Sequence, residues 1–223
     1  MIDIEPSDYI SFDAQRKHLL SSKKRKSLHR IKILGMNISV FPKVYSTGED
    51  SKLIAKTVRI KKTETFLEIG TGCGVVSIYL SKKAREGLGV DINPQAVKNA
   101  KYNAKKLCIT NVSFAKSDLF SNVKGKYDVI IFNPPYSACR SKDLTDRMFW
   151  DTKNKTKARF FREVKKYLNP DGRIYFGWAN FKDLDVNLPI RLAESAGFKI
   201  TKISKKTNNN FSFFVFEILH STG

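Results

Sequence analysis

An apolar strand pattern that leads directly into a glycine-rich loop and a helix start constrains the fold of this chain more than any other feature. Residues 66–69 read Phe-Leu-Glu-Ile, and a predicted helix begins at Val75. The loop between them consists of Gly70, Thr71, Gly72, Cys73 and Gly74. Glycines allow positive φ angles and a close approach of the backbone to a ligand, and the free amides of a helix start can face that ligand. The segment therefore predicts a nucleotide-binding loop at the end of a parallel strand.

The spacing of these glycines argues against two common nucleotide sites. A dinucleotide fingerprint requires a further glycine at position 75, which is a valine, and no Gly-Lys-Ser/Thr sequence follows as a phosphate-binding loop requires. Asp91 ends the next predicted strand, 21 residues beyond Gly70. A carboxylate at that place can accept hydrogen bonds from both hydroxyls of a ribose. The pattern therefore predicts a ribose-containing ligand.

Strand and helix patterns alternate from about residue 63 onward, which predicts an α/β fold with a mainly parallel sheet. We expect strands at 65–69, 87–91, 112–116, 127–132 and 173–178, and helices at about 75–83, 94–106, 157–168 and 187–196. The polar segment 169–172, Asn-Pro-Asp-Gly, is expected to form a turn that ends the third of these helices. Two last strands, at 198–204 and 211–219, are joined by a segment too short for a helical crossover, so they must pair antiparallel. Because the second of them is almost entirely apolar, we expect it to be inserted in the sheet and covered on both faces.

A double-proline turn is the most specific motif of the chain. The strand at 127–132 leads into Asn133, Pro134, Pro135 and Tyr136. The prolines prevent a continued central strand and fix a rigid turn. The side-chain oxygen of Asn133 and the carbonyl of Pro134 can accept the two N–H bonds of an NH2 group, and Tyr136 offers a flat surface to a conjugated substrate. The motif predicts a site that orients an amine or amide nitrogen.

The glycine loop and the proline turn together resemble a known family. The spacing Glu-x-Gly-x-Gly-x-Gly from Glu68 to Gly74 resembles that of class I methyltransferases, and residues 44–219 resemble the Asn-Pro-Pro-Tyr N-methyltransferases. Members of that family modify the glutamine of peptide release factors, amino groups of bases in RNA, or DNA bases. The resemblance implies a seven-stranded Rossmann-like sheet and S-adenosylmethionine as the cofactor. It implies cofactor contacts from Glu68, Gly70, Thr71, Gly72, Gly74, Asp91, Ile92, Asp118, Leu119 and Asn133, and catalytic roles for Asn133, Pro134, Pro135 and Tyr136.

The segment from Val44 to Ser51 is also similar to the segment that precedes the first strand in the release-factor glutamine enzymes. The resemblance implies that it helps to close the cofactor pocket. The bacterial glutamine enzymes carry a long helical N-terminal domain, and this chain has a short basic segment in that place.

The charge of the chain favours a polyanionic partner. The chain has 41 Lys and Arg against 21 Asp and Glu, a net charge of +20, and eight of these cations lie between Arg16 and Lys32 with no acidic residue among them. Such a field attracts phosphate backbones. We expect residues 1–35 to form a basic N-terminal appendage and residues 36–223 to form the methyltransferase domain. RNA or a ribosomal particle is the favoured partner and a protein substrate is the alternative.

No sequence pattern indicates a metal site, a disulfide framework or a membrane span. Cys73, Cys108 and Cys139 form no Cys-x-x-Cys pair, and the three histidines stand apart from other ligands. The chain has no run of roughly 18 apolar residues and no secretory signal pattern. We therefore expect a cytoplasmic protein without a metal or a membrane partner.

Several alternatives remain open within this reading. Cys139 follows the proline turn, but no base stands near it in sequence, which argues against a cysteine nucleophile of the cytosine-C5 type. The loop 137–157 combines cations with Phe149 and Trp150, which either pack as a lid or stack on a base. A non-catalytic RNA-binding or scaffold protein that keeps the fold is the alternative from another class.

Overall fold

The computed structural model describes residues 4–208 and 210–221, in which helices and strands alternate along most of the chain. Two short 3-10 turns, Asp146–Met148 and Thr152–Asn154, lie between the sixth strand and the fifth helix. In chain order the elements are α1 (Phe12–Lys24), β1 (His29–Ile33), β2 (Met36–Val40), α2 (Glu49–Thr57), β3 (Thr65–Ile69), α3 (Val75–Ser81), β4 (Glu86–Asp91), α4 (Pro94–Lys106), β5 (Val112–Lys116), β6 (Tyr127–Phe132), α5 (Lys155–Val164), β7 (Leu168–Ala179), α6 (Leu188–Ser195), β8 (Phe198–Thr207) and β9 (Ser212–His220).

The main sheet has seven strands in the order β5-β4-β3-β6-β7-β9-β8. The first five strands in that order are parallel, and β9 pairs antiparallel with both β7 and β8. This arrangement confirms the predicted C-terminal hairpin and the insertion of the last strand. The chain leaves β3 for β4 on one side and later returns to β6 on the other side. A crevice therefore opens at the C-terminal end of β3, where α/β sheets bind ligands.

Both faces of the sheet are covered, which explains why its central strands read as continuous apolar runs. Phe66 and Leu67 point to opposite faces and both are fully buried. The face of Phe66 packs against residues of α2, α3 and α4 and the β1–β2 hairpin, and the face of Leu67 packs against α5 and α6. The strands that carry the two predicted site turns are thus held rigidly in the core.

Two elements near the N-terminus were not predicted from the sequence. Residues 29–40 form a hairpin that turns at Leu34 and Gly35, both of which have positive φ. The predicted boundary between appendage and domain falls next to this turn. The hairpin is fastened to α4, because the side chains of Asn99 and Asn103 donate hydrogen bonds to the carbonyl of Ser39, each at 2.8 Å. The other new element is the short helix α2.

The segment 169–172 does not end a helix, contrary to the prediction. Helix α5 ends at Val164, and β7 already begins at Leu168. Tyr127 of β6 pairs with Leu168, whereas Val129 pairs with Arg173. Between these two pairs, one residue of β6 lies opposite four residues of β7, and the Asn-Pro-Asp-Gly sequence forms the bulge that accommodates the excess.

Candidate active site

A cavity of about 320 Å³ lies at the C-terminal ends of β3, β4 and β6. The glycine loop forms one wall and the proline turn forms another, so the structure brings the two sequence motifs into one space. The predicted site residues that line it are Glu68, Gly70, Thr71, Gly72, Asp91, Ile92, Asp118, Leu119, Asn133, Pro134, Pro135 and Tyr136. The remaining predicted residue, Gly74, does not line the cavity.

The glycine loop needs its glycines for two different reasons. Gly70, Gly72 and Gly74 all have positive φ, which disfavours residues with a side chain. A Cβ on Gly72 would meet no atom within 4 Å, so this glycine keeps the loop open. A Cβ on Gly74 would lie 2.9 Å from the Cβ of Ala100. Gly74 therefore allows α3 to start close to α4, and this packing contact explains why it does not face the cavity.

Glu68 holds the glycine loop from beneath. Its buried carboxylate accepts hydrogen bonds from the hydroxyl of Thr71 at 2.8 Å, from the amide of Ser77 at 3.1 Å and from the Ser77 hydroxyl. Burial raises the pKa of Glu68 to about 7, although the hydrogen bonds from Ser77 and Thr71 oppose the shift. These contacts give Glu68 a supporting role in the loop, and its direct contact with a cofactor stays a prediction.

The raised pKa of Glu68 predicts how stability depends on pH. Its pKa is about 7 in the folded protein against a usual value of 4.5, so the folded state binds the proton more tightly than the unfolded state. The free energy of unfolding of the wild type should therefore fall relative to Glu68→Gln as pH rises from about 4.5 to about 7, by roughly 3 kcal/mol. Urea unfolding of both proteins across this range measures the difference. A parallel pH dependence in the two proteins would contradict the prediction.

Asp91 and Asp118 occupy the predicted strand ends but have different surroundings. Asp91 accepts hydrogen bonds from the amides of Gly72 and Asn93, each at 2.9 Å, and its burial raises its pKa. It thereby ties β4 to the glycine loop. Asp118 forms a bidentate ion pair with Arg159, with N–O distances of 2.5 and 3.2 Å. Ribose binding by Asp91 and adenine binding near Asp118 stay predictions.

The side chain of Asn133 is held in one orientation by its neighbours. Its Nδ2 donates a hydrogen bond to Oδ2 of Asp50 at 2.8 Å, and the hydroxyl of Tyr136 donates to its Oδ1 at 2.9 Å. Asp50 is buried and also accepts a hydrogen bond from the Tyr45 hydroxyl at 3.2 Å. Because Oδ2 of Asp50 accepts these hydrogen bonds, the amide nitrogen of Asn133 is held on the side of Asp50. The side-chain oxygen of Asn133 is then presented on the opposite side.

Sequence reasoning did not identify Asp50 as a site residue. The available signal was the likeness of residues 44–51 to a pocket-closing segment, which pointed to the region but not to a contact with Asn133. Asp50 lies in the first turn of α2 and lines the cavity, so this segment forms part of the cavity wall.

A second missed residue lies behind the proline turn. Lys157 is fully buried, and its Nζ donates to the carbonyl of Pro135 at 2.7 Å. It also pairs with the carboxylate of Asp151 at 3.2 Å. Burial lowers the pKa of Lys157, and Asp151 opposes that shift. A lysine at the start of a predicted helix is normally exposed, so nothing in the sequence marked it.

Aromatic rings form the wall of the cavity beside Tyr136. Phe181 and Phe213 lie with ring centroids 6.1 and 6.3 Å from that of Tyr136, and Tyr9 and Phe211 complete the cluster. Flat apolar surfaces of this kind can receive a planar group. This side of the cavity is therefore suited to an acceptor, while the glycine loop and Asp91 form the other side.

The N-terminal segment lies across the cavity. The amides of Ser7 and Ser11 donate to the carbonyl of Asn180 at 2.7 Å and to Oδ1 of Asp183 at 2.8 Å. Lys23, in the last turn of α1, forms ion pairs with Asp143 and Asp146. The cavity is lined here by Tyr9, Ser11, Ala14, Gln15 and His18. The basic segment thus contains a docked helix, and Arg16 and Lys17 are exposed on it.

Two aromatic residues of the loop 137–157 pack against aromatic residues of the N-terminal part of the chain. The ring of Phe149 contacts that of Tyr45 at 5.4 Å, edge to face, and Trp150 stacks on Phe12 at 6.2 Å. These contacts favour the packing alternative over base stacking. The loop and α1 together form a cover over the cavity.

Comparison with known proteins agrees with this geometry. Residues 35–202 match the methyltransferase small domain family. The chain belongs to that family.

Two curated relatives of this chain are named for different substrates, one for a protein and one for RNA. A proposed protein N5-glutamine methyltransferase of Methanocaldococcus jannaschii is 53% identical over 107 residues, which cover 48% of this chain and 54% of the relative. Ribosomal RNA small subunit methyltransferase C of Psychromonas ingrahamii is 28% identical over 182 residues, covering 77% of this chain and 49% of the relative. The chain therefore spans about half the length of these relatives.

Solved structures confirm the fold of the methyltransferase-family chain. A methyltransferase from Pyrococcus furiosus superposes with a TM-score of 0.63 at 20% identity, covering 93% of this chain and 98% of that one. The Rossmann-like α/β prediction is therefore confirmed.

Residues 4–208 and 210–221 contain neither a metal-binding cluster nor a membrane-spanning helix. No group of three or more His, Cys, Asp or Glu side chains there is arranged to hold a metal ion. No helix in the same ranges has the length and apolar character needed to cross a membrane.

Proposed function

We propose that this protein transfers a methyl group from S-adenosylmethionine to a planar amide or amino nitrogen that is held by Asn133 and Pro134. The orientation of the Asn133 amide is the observation that carries the proposal. Asp50 accepts a hydrogen bond from Nδ2 of Asn133 at 2.8 Å, so Oδ1 of Asn133 can accept a hydrogen bond from a substrate. An amide oxygen has two lone pairs, and the hydroxyl of Tyr136 uses one of them.

Several groups in the cavity wall support the binding of this cofactor. Gly72 leaves open space at the loop, and Asp91 lines the cavity, where its carboxylate would accept hydrogen bonds from ribose hydroxyls. Two polar atoms in the wall, Oγ1 of Thr47 and Oε1 of Gln15, are shielded from solvent and have no partner among the residues that the structure describes. Buried polar atoms are usually paired, so such atoms support a polar ligand in this space.

The protein's contribution to the reaction is mainly alignment. When bound, the cofactor would supply a methyl group on a sulfonium, whose sulfur is a good leaving group because it departs as a neutral thioether with the electron pair of the C–S bond. Asn133 Oδ1 and the Pro134 carbonyl would accept the two N–H bonds of the substrate nitrogen and turn its lone pair toward that methyl. In the transfer, the bond from nitrogen to the methyl carbon would form as the C–S bond breaks, and the nitrogen would give up one proton to water. No strong general base is needed in this scheme.

A glutamine side-chain amide in a protein is the first candidate for the acceptor. The relative with 53% identity is named for that substrate, and the acceptor groups at Asn133 and Pro134 suit a primary amide. An amino group of a base in RNA is the second candidate. It is supported by the net charge of +20 and by the relative named for ribosomal RNA.

Labelled cofactor separates these candidates. The purified protein is incubated with S-adenosylmethionine carrying a labelled methyl group and with whole cell extract, and portions are then treated with protease or with ribonuclease. We expect label in protein, and its release as methylamine on acid hydrolysis, because hydrolysis cleaves an N-methyl amide. Label that ribonuclease removes would establish RNA as the substrate. Absence of label from both, with the cofactor bound, would favour a scaffold protein.

The RNA candidate makes its own prediction about charge. Changing three exposed cations of α1 to glutamine should make the negative slope of log affinity against log salt less steep by about 2 for a single-stranded RNA. Each phosphate contact contributes roughly 0.7 to the steepness of that slope. Fluorescence anisotropy at several salt concentrations measures the slope. The test residues are Arg16, Lys17 and Lys24, and the matched controls, on α4, are Lys98, Lys101 and Lys105. An equal loss of slope in both triple variants would show that only net charge matters.

A further inference from the structure

The proline turn leaves partly buried carbonyl groups that need donors. Successive carbonyls of Pro135 and Tyr136 lie on the inner side of the turn, 2.7 and 3.4 Å from Nζ of Lys157. Prolines have no N–H, so this part of the backbone cannot form an ordinary ladder of hydrogen bonds. A buried carbonyl without a donor is unfavourable. The ammonium of Lys157 therefore takes the place that a neighbouring strand would fill.

Besides the two carbonyls, the ammonium contacts two side chains that hold it in place. The carboxylate of Asp151 lies 3.2 Å from Nζ, and the ring of Trp178 lies 5.4 Å from it. The Trp178 ring also meets that of Tyr136 edge to face at 5.6 Å. The side chains of Lys157 and Asp151 are 0% and 2% exposed. The pair is neutral as a whole, so its influence on the turn is geometric more than electrostatic.

Asp151 anchors this pair to the start of α5 and to the chain beyond the turn. Its carboxylate accepts hydrogen bonds from the amides of Thr156 at 2.9 Å and Lys157 at 3.1 Å. Its own amide donates to the carbonyl of Ser137 at 2.8 Å. The pair thus connects the first turn of a rigid helix with both the turn and the residue that follows it.

We propose that Lys157, with Asp151, is a positioning residue of the transfer reaction, which holds the carbonyls of Pro135 and Tyr136 inward so that Asn133 and Pro134 face the acceptor nitrogen. This inference rests on the proposed function. Within residues 4–208 and 210–221, no protein donor contacts the Pro134 carbonyl, which leaves it available to a substrate. The hydroxyl of Tyr136 reaches Oδ1 of Asn133 only if the Tyr136 backbone keeps its place.

The test uses a variant in which the pair is removed as a unit. Lys157→Met keeps the linear stem, and Asp151→Asn avoids an unpaired buried carboxylate. The control removes a second ion pair, the partly buried pair of Arg173 with Glu64 at 2.9 Å near the opposite ends of the strands, as Arg173→Met with Glu64→Gln. Both double variants are expected to lose stability, so their melting temperatures are compared first.

Three measurements then distinguish positioning from general stabilisation. Binding of S-adenosylhomocysteine should stay within about twofold of wild type in both double variants, since neither touches the glycine loop. Incorporation of label from the cofactor should fall by about 100-fold in the Lys157→Met/Asp151→Asn protein, as expected for a displacement of about 1 Å, and by less than about threefold in the control. The side-chain amide signals of Asn133 in a 1H–15N spectrum, assigned by their loss in Asn133→Ala, should shift or broaden only in the first variant.

The outcomes separate the two proposals. Retention of wild-type incorporation, or unchanged Asn133 signals, in the Lys157→Met/Asp151→Asn protein would overturn the positioning role. Equal losses of incorporation in the two double variants would also overturn it, because stability alone would then explain the effect. If the wild type transfers no label at all, the proposed function fails, and the Asn133 signals still decide whether Lys157 positions the turn.

Discussion

The Asn133→Ala variant is expected to lose methyl transfer by about 10²- to 10³-fold while its affinity for S-adenosylhomocysteine stays near that of the wild type. The truncation removes the oxygen that would accept an N–H of the substrate, and an oriented group of this kind contributes about 3–4 kcal/mol to the barrier. It also leaves Asp50 and the hydroxyl of Tyr136 without their present partner. Single-turnover incorporation of labelled methyl, together with calorimetric binding of S-adenosylhomocysteine, measures both effects.

Asn111→Ala is a suitable control for this variant. Asn111 is also an asparagine whose side chain bonds backbone carbonyls, with Ser81 at 3.0 Å, but it does not line the cavity. It should keep transfer close to the wild-type rate. Wild-type turnover in Asn133→Ala would show that the amide does not orient the acceptor.

The Gly177→Ala variant is expected to lose about 100-fold in transfer although residue 177 carries no chemistry. A Cβ at this position of β7 would lie 2.5 Å from Oδ1 of Asn133 and 3.0 Å from Cδ1 of Ile54. Both side chains must then move, and a displacement of about 1 Å at a reacting centre can cost that factor. The measurement is again single-turnover incorporation, with the melting temperature recorded beside it.

Gly125→Ala is the control that distinguishes a loss of stability from a displacement of Asn133. Gly125 has a φ of +76°, and a Cβ there would meet no atom within 4 Å. Alanine in this conformation costs about 1 kcal/mol of stability without contact to Asn133. If Gly125→Ala loses as much transfer as Gly177→Ala, the loss at residue 177 does not come from the Asn133 contact.

Most of the sheet could be predicted because its determinants are local. The strand at residues 65–69 was placed correctly, since apolar runs bounded by glycine or proline signals identify strands covered on both faces. Helix α4 was placed correctly because Asn93 caps it and Pro94 opens it. The predicted turn at 169–172 was wrong because its role depends on the register between β6 and β7, which the segment itself does not encode.

The N-terminal region shows where the sequence pattern was insufficient. The basic run predicted a basic appendage but not where it would lie: Ser7 and Ser11, just before α1, form hydrogen bonds to Asn180 and Asp183, and Lys23 of α1 forms an ion pair with Asp143. These partners are more than 100 positions away in the chain. Charge composition indicates that such a segment attracts anions, and it contains no information on which surface the segment contacts.

The sequence by itself determined the two turns of the site. Glycines at 70 and 72 permit positive φ, and prolines at 134 and 135 restrict φ, so these conformations follow from covalent structure wherever the chain places them. The tertiary structure alone decided what holds the reactive groups. Asp50 meets Asn133 across 83 positions, and Lys157 meets Pro135 across 22. Such partners are chosen by the need to satisfy buried polar groups, and that need arises only after the sheet and its helices have excluded water.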